Sequence, residues 1–157
     1  MELNQFNCLP AWKNMLSHIA EEEAWKWKEE LELGELLYNQ WREVYQLVEA
    51  FAENLPAAGD DPHPARVLIY QNAGIIAPKI IGASGDTLYQ IKMENAALIR
   101  FNCRQLWEQV AYTVLTGAAD PVHKQVIEAE LDRFKACFRR WVSKFQKDDF
   151  TDEWGLF

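Results

Sequence analysis

Cysteine is scarce in this chain and badly placed for cross-linking. The three present, Cys8, Cys103 and Cys137, form no Cys-x-x-Cys pair. A disulfide scaffold and a structural zinc site are excluded on that count, and reduced thiols in a cytoplasmic protein are expected. Turn-formers are also few. The 7 glycines and 6 prolines in 157 residues fall below the roughly 12% of average usage, which favours long uninterrupted helices. Basic residues are outnumbered 16 to 24, for a net charge of −8. A surface of that sign repels phosphate and argues against a general nucleic-acid binder.

No long apolar run is present. The most apolar stretch, 65–84, contains Arg66, Gln71, Asn72, Pro78 and Lys79. Such groups are costly in hydrocarbon, so a buried helix is expected and no membrane span. The opening Met-Glu-Leu-Asn-Gln-Phe has no basic stretch before an apolar one, and no signal peptide is expected. Catalytic motifs are missing too. The chain has no Gly-x-Ser-x-Gly, no phosphate-binding glycine loop and no Glu-x-x-His of the di-metal carboxylate bundles.

What the sequence does contain is material for one core. Hydrophobic residues make up 49%, and the length suits a single domain, 1–157. Two segments carry a sharp helical seam. Leu37, Trp41, Val44, Val48, Phe51 and Leu55 recur at steps of four and three, as do Ile127, Leu131, Phe134, Phe138, Trp141 and Phe145. Aromatics on one such stripe mark a core and not a stacking platform for bases. The segment 10–31 is less regular, and Gly34 is a plausible break after it. The loop 54–64 holds Pro56, Gly59, Pro62 and Pro64. Asp61 or His63 can cap the helix that follows.

The stretch 66–82 is ambiguous, because its β-branched residues suit a strand. Its Gln71-Asn72-Ala73-Gly74-Ile75-Ile76 matches Glu94-Asn95-Ala96-Ala97-Leu98-Ile99 in a long run without Gly or Pro. Both copies are therefore read as helix. Placed symmetrically about a turn at 83–84, Asn72 and Asn95 would face each other. Gly117 ends the third helix, and Asp120 with Pro121 begins the last. The reading is all-α: an antiparallel up-down-up-down four-helix bundle over 35–55, 64–82, 86–117 and 120–147. An extra N-terminal helix, 10–31, precedes it, and a docking tail, 148–157, follows.

Charge is unevenly spread. Residues 1–62 carry four basic and thirteen acidic groups, and 119–147 carry seven basic and four acidic. The tail holds four acids beside Phe150, Trp154, Leu156 and Phe157. The acidic runs at 21–23 and 29–32 are read as solvated faces.

Glu94 stands out, with Ile91, Leu98 and Phe101 on its own side. A carboxylate inside a bundle needs partners. Gln71, Asn72, Glu94, Asn95 and Arg100 are therefore candidates for an interior polar layer, either a register-fixing network or a ligand site. For a metal only His18 with Glu22 has ligand spacing, and further ligands are not evident. No cofactor and no catalytic residue are assigned.

Trp25 and Trp27, two residues apart, cannot both face one core, so one remains exposed. With Trp154 and Phe157 they are interface candidates. The expectation is a non-enzymatic interaction module, a homodimer with a possible further protein partner; the alternative is a small-ligand binder or enzyme using the polar layer around Glu94, with a metal-carboxylate bundle as its lesser version.

Overall fold

A computed structural model describes residues 9–12 and 24–156. After a 3-10 turn at Ala24–Lys26, four helices follow: α1 (Lys28–Glu53), α2 (Pro64–Ser84), α3 (Tyr89–Leu115) and α4 (Pro121–Val142). No strand occurs among the described residues. Helix α1 packs on α2 and α4, and α3 packs on α2 and α4, which closes a ring of neighbours and makes a helical bundle.

The seams read from sequence form its core. Leu37, Trp41, Val44, Val48, Phe51 and Leu55 are buried, as are Ile127, Leu131, Phe134, Trp141 and Phe145. Phe138 is half-buried beside them. Each such side chain contributes about 2 kcal/mol when removed from water. Trp41 meets Phe134 with centroids 5.2 Å apart, and Trp141 meets Phe145 edge-on at 4.7 Å.

The expected N-terminal helix over 10–31 falls largely on 13–23, outside the described residues. Its end and the expected break at Gly34 are corrected. Helix α1 begins at Lys28 and passes through Gly34 unbroken. This glycine serves close approach. A Cβ there would lie 2.8 Å from Ser84 Oγ and 3.3 Å from both the Trp12 ring and Trp141 Nε1.

The ambiguous stretch is one helix, α2, with Pro78 inside it. Pro78 and Gly74, four residues earlier, are both exposed, so the proline ring crowds the carbonyl of a residue without a side chain. The core side of α2 is built from Ala65, Ala73, Ala77 and Ala83 among Ile69, Ile76 and Ile80. Small residues let α3 come close, and α2 with α3 is the tightest pair. The expected level pairing of Asn72 with Asn95 does not occur. Asn95 Oδ1 lies 3.4 Å from where a Gly82 Cβ would be, ten residues or roughly 15 Å along α2 from Asn72. The hairpin is offset because α2 runs to Ser84 while α3 starts only at Tyr89.

The caps follow the sequence. His63 Nδ1 accepts from Ala65 N at 3.1 Å, and Asp120 Oδ1 accepts from Val122 N at 2.8 Å, each with proline next in the first turn. Gly117 leaves α3 at φ 77°. At the α1–α2 corner, the Glu53 carboxylate accepts from the Tyr70 hydroxyl and the Arg66 guanidinium, both at 2.5 Å. The Tyr70 hydroxyl first, and then Arg66, hold Glu53 below its ordinary value of 4.5. Burial, then Glu53, pushes Tyr70 up to about 12.

Three outcomes are expected in urea denaturation. Gly34→Ala is destabilising by about 1 kcal/mol net, because overpacking of ~1–3 kcal/mol outweighs the helix propensity gained. Gly74→Ala, where a Cβ meets nothing within 4 Å, is stabilising by about 0.5–1 kcal/mol. Glu53→Gln lowers the midpoint at neutral pH. Since the folded-state value lies below the unfolded 4.5, the contribution is present above 4.5 and is lost as pH falls through the lowered value. The gap between variant and parent therefore closes on acidification, read by urea midpoints at a series of pH values.

Candidate binding groove and the buried ion pair

Helix α3 has its own seam. Lys92, Ala96, Ile99, Leu106, Val110 and Thr113 are buried, with half-buried Cys103 at the position between Ile99 and Leu106. The spacing of four and three is regular, but the seam begins with a charge. Lys92 is 1% exposed and its ammonium pairs with Glu30, itself buried, on α1. The Trp27 ring lies 4.3 Å from Lys92 Nζ and the Phe145 ring 5.7 Å, so the cation rests against two aromatic rings. Burial raises the Glu30 carboxyl above its ordinary value, against the opposing hydrogen bond and charge of Lys92. Glu30 Oε2, Ser84 Oγ and Trp141 Nε1 are buried without a hydrogen-bond partner among the described residues.

Glu30 corrects the reading of 29–32 as a solvated face. Glu29 and Glu32 are exposed, whereas Glu30 continues inward the seam of Leu33, Leu37 and Trp41. Both partners of this pair were missed in the sequence. Their signal was position: each extends an apolar seam by one further step of three or four.

The α3–α4 contact is the loosest of the four around the bundle, and a groove of about 530 Å³ opens there. Ile99, Cys103, Trp107, Leu131, Phe134 and Phe138 give it an apolar floor and walls. Space remains because Cys103 is short where its neighbours along the seam are long. Its thiol is pushed up to about 12, chiefly by burial. It is therefore un-ionised at neutral pH and serves as wall, not as a nucleophile. Arg100 and Arg104 from α3 and Lys135 and Arg139 from α4 stand exposed at the rim, with Glu108 and Glu128 toward the Trp107 end. Arg104 pairs with Glu108 at 4.0 Å and Lys135 with Asp132 at 2.9 Å. Arg100 and Arg139 pair with no carboxylate among the described residues. From Ile99 to Glu108 the groove runs roughly 13 Å along α3.

The tail reaches the start of the same helix. The N-cap residue of α3, Leu88, supplies no side-chain cap. Asp148 Oδ2 takes that place, accepting from Tyr89 N at 2.8 Å. Asp152 is buried and accepts from Gln90 Nε2 at 3.2 Å, Trp154 N at 3.1 Å and Leu156 N at 2.9 Å. The carboxylates anchor the tail while its apolar side chains stay outside: Phe150 is 55% exposed, Trp154 80% and Leu156 72%.

The candidates from sequence are scattered. Gln71 and Arg100 are exposed, and Asn72, Glu94 and Asn95 are half-buried. Asn72 donates back to Leu68 O at 2.9 Å and Asn95 to Ile91 O at 2.8 Å, so each amide is spent on its own helix. Glu94 accepts from Gln90 Nε2 at 2.9 Å, on the side of the tail. These residues do not form an interior layer. Arg100 is the one that reaches the groove. Trp25 is 73% exposed, and Trp27 is half-buried on Lys92. His18, Glu22 and Phe157 lie outside the described residues. Among the described residues no group of three His, Cys, Asp or Glu side chains could hold a metal ion, and no helix is long and apolar enough to cross a membrane. No protein-family model, curated protein or solved structure matches the chain.

Lys92→Met leaves Glu30 buried alone and should cost about 3–5 kcal/mol in urea denaturation. The double variant Glu30→Leu/Lys92→Met should recover most of that loss, since the pair is then replaced by apolar side chains.

Proposed function

We propose that this chain is a non-enzymatic interaction module on an antiparallel up-down-up-down bundle, and that the α3–α4 groove receives an acidic, amphipathic segment of a protein. Three pairings support the antiparallel order. Glu53 at the end of α1 meets Arg66 and Tyr70 near the start of α2. Gly82 near the end of α2 lies beside Asn95 in the first half of α3. Lys144, just past α4, pairs with Glu29 at the start of α1 at 2.8 Å. Short connections between such helices favour this order.

The carrying observation is the combination in one groove of an apolar floor and four rim cations, two of which pair with no carboxylate among the described residues. An apolar stripe flanked by acids is the complement of that surface, as in helix-in-groove recognition. Exposed Trp25 and Trp154 support an interaction role, since large exposed aromatics cluster at contact surfaces. A second reading, a small apolar anion, is favoured by the volume alone, which lies in the range of ligand pockets. A small carboxylate co-purifying in native mass spectrometry would favour it.

The test uses a fluorescent apolar anion, anilinonaphthalene sulfonate. Binding with a fluorescence gain is expected. Arg100→Glu/Arg139→Glu should weaken it about tenfold or more, through loss and reversal of two rim charges. Arg133→Glu, exposed on α4 outside the groove, should leave it unchanged. A rim variant that binds the probe like the parent would remove the groove as the site.

A further inference from the structure

The tail of this chain has the chemistry its own groove lacks. Residues 148–156 carry Asp148, Asp149, Asp152 and Glu153 among Phe150, Trp154 and Leu156. Asp148 and Asp152 are committed to the start of α3. Asp149 and Glu153 are exposed beside the three outward apolar side chains. The tail turns at Gly155, φ 68°, with Leu156 N bound back to Asp152. That turn holds it beside Tyr89 and Gln90, where Phe150 and Leu156 line a shallow hollow. The groove begins nine residues further along α3, at Ile99, roughly 13 Å away. None of the described tail residues lines the groove of its own chain, and Phe150 and Trp154 are exposed on the anchored tail.

Resting on the groove reading above, we infer that the occupant is a second copy of this chain. The exposed face of one protomer's tail, Phe150, Trp154 and Leu156 with Asp149 and Glu153, enters the α3–α4 groove of the other, and the exchange is reciprocal. The apolar side chains cover Ile99, Cys103, Trp107 and Phe138, and the acids meet Arg100 and Arg139. One patch used twice is the form a two-fold dimer requires. At ~150–250 Å² per aromatic, and with Phe150 55% and Trp154 80% exposed beforehand, the four aromatics of two tails bury roughly 400–680 Å². With the two leucines and the groove surface they cover, this reaches the 1,200–2,000 Å² of specific interfaces. Anchoring by Asp148 and Asp152 means the tail loses little freedom on binding, which favours association.

Sedimentation velocity over a concentration series of the full chain tests this. The parent is expected to dimerise. Trp154→Ser/Leu156→Ser and, separately, Arg100→Glu/Arg139→Glu should each weaken the dimer about thirtyfold or more. All four positions are exposed, and circular dichroism checks that the fold is retained. An equal mixture of the two variants should regain association, because one intact tail then meets one intact groove. Adding Asp149→Lys/Glu153→Lys to the groove variant should also restore dimers by reversing both signs. A parent that stays monomeric at ~100 µM, or a dimer that either variant leaves unchanged, overturns the inference. A monomer that still binds anilinonaphthalene sulfonate in the groove defeats the second-copy occupant alone. A monomeric tail variant, Trp154→Ser/Leu156→Ser, whose open groove fails to bind that probe defeats the groove reading itself.

Discussion

The ammonium of Lys92 sits against the carboxylate of Glu30 in the interior, with the faces of Trp27 and Phe145 nearby. Taking both charges out of water costs several kcal/mol each, and only close pairing offsets that cost. The pairing ties the first turn of α1 to the first turn of α3. A shift of either helix by one turn would strand a charge, so the pair acts on register more than on net stability. Gly34 lies one turn further along α1, and its lack of a side chain lets Ser84 and Trp141 close over that end of the bundle. The end where α1 and α3 begin is thus polar, crowded and fixed.

That constraint places the tail. With the start of α3 held, its free N–H groups point at a defined spot, and Asp148 accepts from one of them, Tyr89 N, from the far end of the sequence. A carboxylate there also faces the positive end of the helix dipole. Asp152 and Gln90 extend the attachment, and Glu94 joins it through Gln90. Polar groups do the fastening, so the tail's apolar groups are left outside. In most surface segments the division is the reverse, with apolar groups packed and polar groups solvated.

The same bundle is unevenly packed. Alanines on α2 bring α3 close, while the bulk of Phe134 and Phe138 on α4 faces a short Cys103 on α3. Like-charged rim residues on both helices oppose closure of the gap, and Arg100 and Arg139 pair with no carboxylate among the described residues. Groove and tail therefore carry complementary charge and shared apolar character, although one lies on the helices and the other beyond them.

Much of this was legible in the sequence. The seams of α1 and α4 fixed which side chains are buried, because a sharp period of 3.6 admits one inward face. Caps at His63 and Asp120 and the stop at Gly117 depend on neighbouring residues only, and they stand where local chemistry put them. The helices α2 and α3 were harder, since apolar residues surround them on several sides and period alone does not choose a face. In sequence Glu94 stood out for its apolar neighbours and Glu30 was read as solvated, yet Glu30 is the buried one and Glu94 is half-buried. What separated them was the neighbour each helix acquired: Lys92 across the core for Glu30, and the tail for Glu94. The groove has no sequence signature at all. It exists because a short side chain on one helix faces bulky ones on another some thirty residues later, and only the packing of α3 against α4 brings those two facts together.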